Sequence, residues 1–135
     1  MAKIINRKCQ NEPPIHIQTD PNKIFDELIH VIQALRKKKR SDYGEKSGVG
    51  NLMECERIGI QPWVGVTIRM GDKMSRIRSA VNNGIRSLSN ESVTDSFIDL
   101  AVYSLLACAI ILAKYSEFYE SFRAMYRKEL SELDN

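Results

Sequence analysis

The longest apolar run of the chain, residues 100–113, is the feature that most constrains the fold. The run contains no charged residue, yet it is shorter than the roughly 20 residues that a membrane-spanning helix needs. We therefore interpret it as a core helix and expect no membrane partner. A helix that is apolar on most sides needs cover on more than one of them. This requirement predicts that the chain self-associates as a homo-oligomer.

The size and composition of the chain predict one soluble domain. Its 135 residues are enough to bury an ordinary core, and 43% of them are hydrophobic against 27% charged. The net charge of +3, from 20 basic and 17 acidic residues, is too small to call for nucleic acid. Cys9, Cys55 and Cys108 lack the paired spacing of a zinc or redox site, and the first residues lack a secretory signal. Both observations favour reduced thiols in a cytoplasm.

Helical periodicity dominates the chain after an irregular arm or short strand at residues 1–20. The predicted class is all-α, with about four main helices in a bundle over residues 22–133. We predict long helices over residues 22–39, from Pro62 to about residue 81, from about residue 91 to 113, and over 116–133, with a glycine-containing loop at 41–51 and a short helical piece at 51–58. The basic run at residues 36–40 suits the C-terminal end of the first helix without any partner.

The second long helix carries an apolar face and a charged arc beside it. The apolar residues are Trp63, Val66, Met70, Met74, Ile77 and Val81. The charged residues are Arg69, Asp72, Lys73 and Arg76, which share an arc of roughly 100°. Such an arc can bind phosphates or pair with acidic residues of another helix.

Three acidic residues in the stretch ESVTDSFIDLAVYSLL, residues 91–106, admit two interpretations. Glu91, Asp95 and Asp99 fall on successive helical turns, beside an apolar stripe that we predict to face the core. That stripe contains Phe97, Ala101, Leu105, Cys108 and Leu112. The first interpretation is a Mg²⁺ or Mn²⁺ site, because hard cations take carboxylate oxygens.

The second interpretation is structural. Ser92 followed by Asp95 has the pattern of a capping box at a helix start. Asp99 lies too far into the helix to act as a cap, so it needs either a metal or a basic partner from Arg69, Lys73 or Arg76. The spacing alone leaves both interpretations open.

Three blocks of the sequence, covering about half of the chain, resemble a known family. The blocks are DYG at 42–44, GVTIRMGDKMSRI at 65–77 and NESVTDSFIDLAVYSLLA at 90–107. They are similar to the nucleotide modification associated domain 1 family of phages and bacteria. The helical layout of that family is similar to that of MazG-like nucleoside triphosphate pyrophosphohydrolases, which hold Mg²⁺ between acidic helices and assemble as oligomers. This chain departs from the MazG-like pattern because it lacks an ExxE paired with a later ExxD at the matching helices.

The resemblance implies a metal-dependent enzyme that hydrolyses a phosphoanhydride bond of a nucleotide, in the cytoplasm of a bacterium or of a phage-infected one. The implied roles are metal binding by Glu91, Asp95 and Asp99, catalysis by Asp72 and Lys73, phosphate binding by Arg69 and Arg76, and contact with base or sugar by Asp42 and Tyr43. The alternative is a non-catalytic phage protein that binds or sequesters a nucleotide, or that modulates a host enzyme, which the missing ExxE favours. Nucleic-acid binding is disfavoured, because the basic residues do not form a stripe with interleaved aromatic residues.

Overall fold

The computed structural model describes residues 19–42, 54–85 and 92–133. Across these ranges 87% of the residues are helical and none lies in a strand. The predicted all-α class is confirmed, and four of the helices are substantial. The predicted N-terminal arm falls almost entirely outside the described residues.

The described helices follow one another along the chain with short connections. They are α1 (Pro21–Asp42), a 3₁₀ helix (Glu54–Ile58), α2 (Pro62–Asn83), α3 (Val93–Lys114), α4 (Ser116–Met125) and α5 (Arg127–Ser131). Two boundaries differ from the prediction. Asp42 is the last residue of α1 and does not belong to a loop, and the last predicted helix is interrupted at Tyr126, where the backbone leaves the helical region (φ −109°, ψ 29°).

Local signals in the sequence account for where the central helices begin and end. Pro62 occupies the first turn of α2, where its missing N–H leaves no hydrogen bond unmade. Gly59 and Gly84 lie on either side of α2 and have φ values of 77° and 97°. Residues that carry a Cβ rarely adopt such values. Ser92 caps α3 with the predicted capping box, in which Asp95 bonds back to the Ser92 backbone.

The core lies between α2 and α3, which form an antiparallel hairpin. Gln61 at the start of α2 accepts a hydrogen bond from Lys114 at the end of α3, while Ala80 packs with Val93 at the opposite end. Two small clusters fill the interface. One contains Val66, Leu106 and Ile110, and the other contains Ile77, Ala80 and Val93.

The predicted inward face of α3 is wrong. The buried or half-buried residues that α3 contributes to the core clusters are Val93, Leu100, Val102, Tyr103, Leu106, Ala107 and Ile110. The stripe predicted to be core is instead exposed over most of its length, since Phe97 and Leu105 are 53% and 61% exposed. Both stripes are apolar at helical spacing, so packing against α2 decided between them.

The apolar face predicted for α2 divides between the core and the surface. Val66 is fully buried and Ile77 is nearly so, whereas Trp63, Met74 and Val81 are exposed along one border of the same face. Gly65 marks a close approach, because a Cβ there would lie 2.7 Å from the Cys55 sulfur in the 3₁₀ helix. At Gly71, by contrast, an added Cβ would meet no described atom within 4 Å.

Helix α1 makes few contacts with the rest of the described chain, and those contacts are with α3. Its large apolar side chains are mostly exposed. The exposed ones are Ile24, Phe25, Leu28, Ile29, Val31 and Leu35. The hairpin of α2 and α3 is therefore the most extensively packed part of the described chain.

Candidate functional site

The hairpin brings charged residues of α2 and α3 together on one side, which we call the polar face. Its centre is an ion pair, in which Lys73 Nζ lies 2.7 Å from Asp99 Oδ2. The Lys73 side chain is 17% exposed and that of Asp99 is 39% exposed. The Lys73 side chain is therefore the more buried of the two.

Arg69 and Arg76 flank Lys73 on the polar face. They lie one turn before and one turn after its position, offset to the same side at about 100° per residue. Both side chains are exposed, as is that of Asp72. This part of the predicted site is thus a row of three basic side chains along α2, with its central member held against α3.

Asp95 has the structural role that the capping box predicts. Its Oδ2 accepts hydrogen bonds from the Ser92 backbone N–H (3.2 Å) and from the Ser92 hydroxyl (2.8 Å), while the Ser92 Oγ accepts from the Asp95 backbone N–H at 3.1 Å. These bonds satisfy groups that would otherwise be orphaned at the start of α3. Asp95 lies one turn before Asp99, so both carboxylates belong to the same side of α3.

The remaining predicted residues are not brought to this face by the described structure. Glu91 and Tyr43 lie outside the described residues, and Asp42 is in the last turn of α1, where only the backbone is described. Within the described ranges, no cluster of three or more histidine, cysteine or acidic side chains is placed to hold a metal ion.

The donor chemistry of Asp95 and Asp99 fits a hard cation, although both side chains already have protein partners. Carboxylate oxygens are what Mg²⁺ takes from proteins. One oxygen of each carboxylate is engaged, in Asp95 by Ser92 and in Asp99 by Lys73. A cation at Asp99 would compete with the Lys73 ammonium group for the same carboxylate.

Ser96 is a polar residue at the hairpin interface that sequence reasoning passed over. It is fully buried, and its Oγ has no hydrogen-bond partner among the residues that the structure describes. Its position one turn before Leu100 and one turn after Val93, both of which pack in the core, is the sequence signal that could have revealed it.

We expect Ser96→Ala to raise the free energy of unfolding by about 1 kcal/mol, because it removes a buried hydroxyl that lacks a partner and introduces a better helix former. Ser104 on the same helix is the control. Its hydroxyl donates to the Leu100 carbonyl at 2.8 Å, so Ser104→Ala should change stability little. Urea unfolding of both variants measures the difference. A clear loss of stability in Ser96→Ala would show that the hydroxyl has a partner.

Helix α3 also has an unusual composition for a helix in contact with only a few others. Within the described ranges it is the one helix long and apolar enough to cross a membrane. Core helices of soluble proteins can have the same length and hydropathy. Four of its 22 residues are buried in the structure. Its apolar surface away from α2 is thus largely uncovered by the described chain.

Comparison of the chain with protein-family models, with curated proteins and with solved structures gave no match in any of the three.

Proposed function

We propose that this chain is a metal-dependent nucleotide-binding protein that hydrolyses a phosphoanhydride bond, with the polar face of the hairpin as its site. The observation that carries the proposal is the Lys73–Asp99 pair, which holds the basic row of α2 beside the acidic positions of α3. A nucleotide presents phosphates to basic side chains and a bound cation to carboxylates. The two kinds of group needed are neighbours on this face.

The basic row would bind the phosphates. Arg69 and Arg76 are exposed and carry guanidinium groups, which form bidentate hydrogen bonds with phosphate oxygens. Lys73 lies between them as a point charge. Loss of its hold on Asp99 would release its ammonium group toward a phosphate oxygen.

The acidic residues would hold the cation. Asp95 and Asp99 are the described candidates, with Glu91 as the third by sequence position, and Asp72 is the one carboxylate on α2. A bound Mg²⁺ or Mn²⁺ would supply neutralisation of phosphate charge and a more acidic water. Asp42 and Tyr43 remain candidates for contact with the base or sugar, as the family resemblance implies.

The second candidate is nucleotide binding without turnover, in the cytoplasm of a phage-infected bacterium or of a bacterium itself. A specific observation favours it, because Asp95 and Asp99 are both engaged by protein donors. A protein that only binds a nucleotide needs the basic row and not a free carboxylate set. In either case we propose that the active form is a homo-oligomer.

The test is to incubate the protein with canonical and modified nucleotides in the presence of Mg²⁺ or Mn²⁺, and to measure both pyrophosphate or phosphate release and the nucleotide that remains bound. Release of product supports the hydrolase. Retention of intact nucleotide supports the binding protein. If no nucleotide is bound or altered, the proposal is wrong.

Arg76→Ala should weaken nucleotide binding about 10-fold or more, because a charge-assisted hydrogen bond to phosphate is lost. Arg78 is the matched control, since it is an exposed arginine on the same helix that points away from the polar face by more than a quarter turn. Arg78→Ala should therefore leave the dissociation constant nearly unchanged in isothermal titration calorimetry. Equal losses in the two variants would indicate nonspecific charge attraction.

A further inference from the structure

The side of α3 that faces away from α2 carries a continuous apolar surface, which we call the outer stripe. It consists of Phe97, Ala101, Leu105, Cys108 and Leu112. All but Leu112 are exposed, and Leu112 is half-buried. The stripe contains no charged residue over four helical turns. An uncovered surface of this kind marks an interaction site.

Helix α2 has an exposed apolar border of its own. Trp63, Met74 and Val81 lie on the border of α2 opposite to that of Arg69 and Arg76, at about 100° per residue. The Lys73–Asp99 pair identifies which borders of the two helices share a side of the hairpin. The exposed apolar residues of α2 therefore lie on the side of the hairpin opposite to the polar face.

A lipid bilayer is a poor occupant of this surface, although α3 alone could span one. The inner face of α3 is packed along its length against α2, and α2 carries Arg69, Asp72 and Arg76. Inserting the hairpin would place these charges in hydrocarbon, and withdrawing α3 by itself would break the Lys73–Asp99 pair and both core clusters. The occupant should therefore be a protein surface.

The outer stripe is sterically complementary to itself. If two copies of α3 pack antiparallel about a two-fold axis near Leu105, Phe97 of each copy lies opposite Leu112 of the other. The small residues Ala101 and Cys108 then oppose each other on either side of the axis. Large residues meet at the ends and at the centre, and small residues between them allow the helix axes to approach closely. Such self-complementarity is what a two-fold symmetric interface requires.

We propose that two copies of this chain form a dimer through the outer stripe, in which the two α3 helices pack against each other and lie between the two α2 helices. Helix α3 is about 33 Å long, and one helix face of that length and about 10 Å in width is smaller than the roughly 800 Å² per partner of a stable interface. The dimer therefore belongs to the class of small, weak interfaces and should dissociate on dilution. The polar faces remain on the outside of the dimer, so the inference does not depend on the proposed nucleotide site.

The first test is sedimentation velocity of the full chain without ligand, over micromolar concentrations. The wild-type protein should be a dimer. Leu105→Glu should raise the dimer dissociation constant by about 100-fold or more, since the two-fold axis buries the new charge twice. Ile68→Glu is the matched control, because Ile68 is also 61% exposed but lies on the side of α2 away from the core and the outer stripe. Circular dichroism should show unchanged helix content in both variants.

The second test addresses the register of the two helices. In a background where Cys9 and Cys55 are serine, Ala101→Cys should form a disulfide between copies through Cys108, with copper phenanthroline as the oxidant of the two thiols. Ile68→Cys in the same background should not. Disulfides require Cα atoms within about 7 Å, so an efficient cross-link reports the proposed opposition directly.

Three results would overturn the proposal. They are a wild-type monomer at all concentrations, a Leu105→Glu variant that stays dimeric, and equal dissociation of Leu105→Glu and Ile68→Glu. Binding of the monomer to vesicles of phosphatidylcholine and phosphatidylglycerol, lost in Leu105→Glu, would assign the outer stripe to a lipid surface instead.

Discussion

Leu106→Ala is expected to lower the free energy of unfolding by about 2–4 kcal/mol, whereas Leu105→Ala should lower it by less than about 1 kcal/mol in dilute protein. The two leucines are adjacent in sequence and identical in chemistry. Leu106 is 9% exposed and packs with Val66 and Ile110, while Leu105 is 61% exposed. Removing three side-chain carbons leaves a cavity at Leu106. At Leu105 it leaves no cavity, because most of that side chain already lies in solvent.

Urea unfolding at low protein concentration measures this difference. The measurement should then be repeated at high concentration, where the proposed dimer forms and Leu105 becomes buried. Stability of the wild-type protein should rise with concentration, and Leu105→Ala should lose part of that increase. If Leu105→Ala costs as much as Leu106→Ala at every concentration, α3 is packed on both sides within a single chain.

Asp99→Asn should cost about 2 kcal/mol of stability in metal-free buffer, more than Lys73→Met. The reason is the unequal exposure of the pair, since the Lys73 side chain is the more buried of the two. Loss of Asp99 removes the charged acceptor of a mostly buried lysine side chain, which costs about 1.5–3 kcal/mol. Loss of Lys73 leaves a carboxylate that water can solvate, and the methionine retains the apolar contacts of the lysine stem.

Thermal and urea melts of the two single variants and the double variant measure the coupling between the residues. A coupling of about 1 kcal/mol or more is expected at low salt. Asp99→Asn that is as stable as the wild-type protein would contradict a structural pair. Addition of Mg²⁺ separates the functions of the carboxylate, because a cation held by Asp99 would stabilise the wild-type protein and not the variant.

Local sequence features determined much of what the described structure contains. The Ser92–Asp95 capping box, Pro62 at the start of α2 and Gly59 before it were all predictable, because each depends on hydrogen bonds or backbone angles within a few residues. The all-α class followed from periodicity for the same reason. The basic arc of α2 was likewise visible, since residues three and four apart share a side of any helix.

The partner of Asp99 and the inward face of α3 were decided only by the tertiary structure. Sequence spacing offered three basic partners for Asp99, and the antiparallel register of α2 against α3 placed Lys73 beside it. Helix α3 has apolar residues on both its inner and outer sides, so its pattern does not specify which side meets α2. Hydrophobic burial is not directional, and the choice belongs to the surface that fits best against a neighbour. By itself the sequence determined the helices and those ends that carry a local signal, such as Pro62 and Ser92, and packing determined which residues of those helices meet.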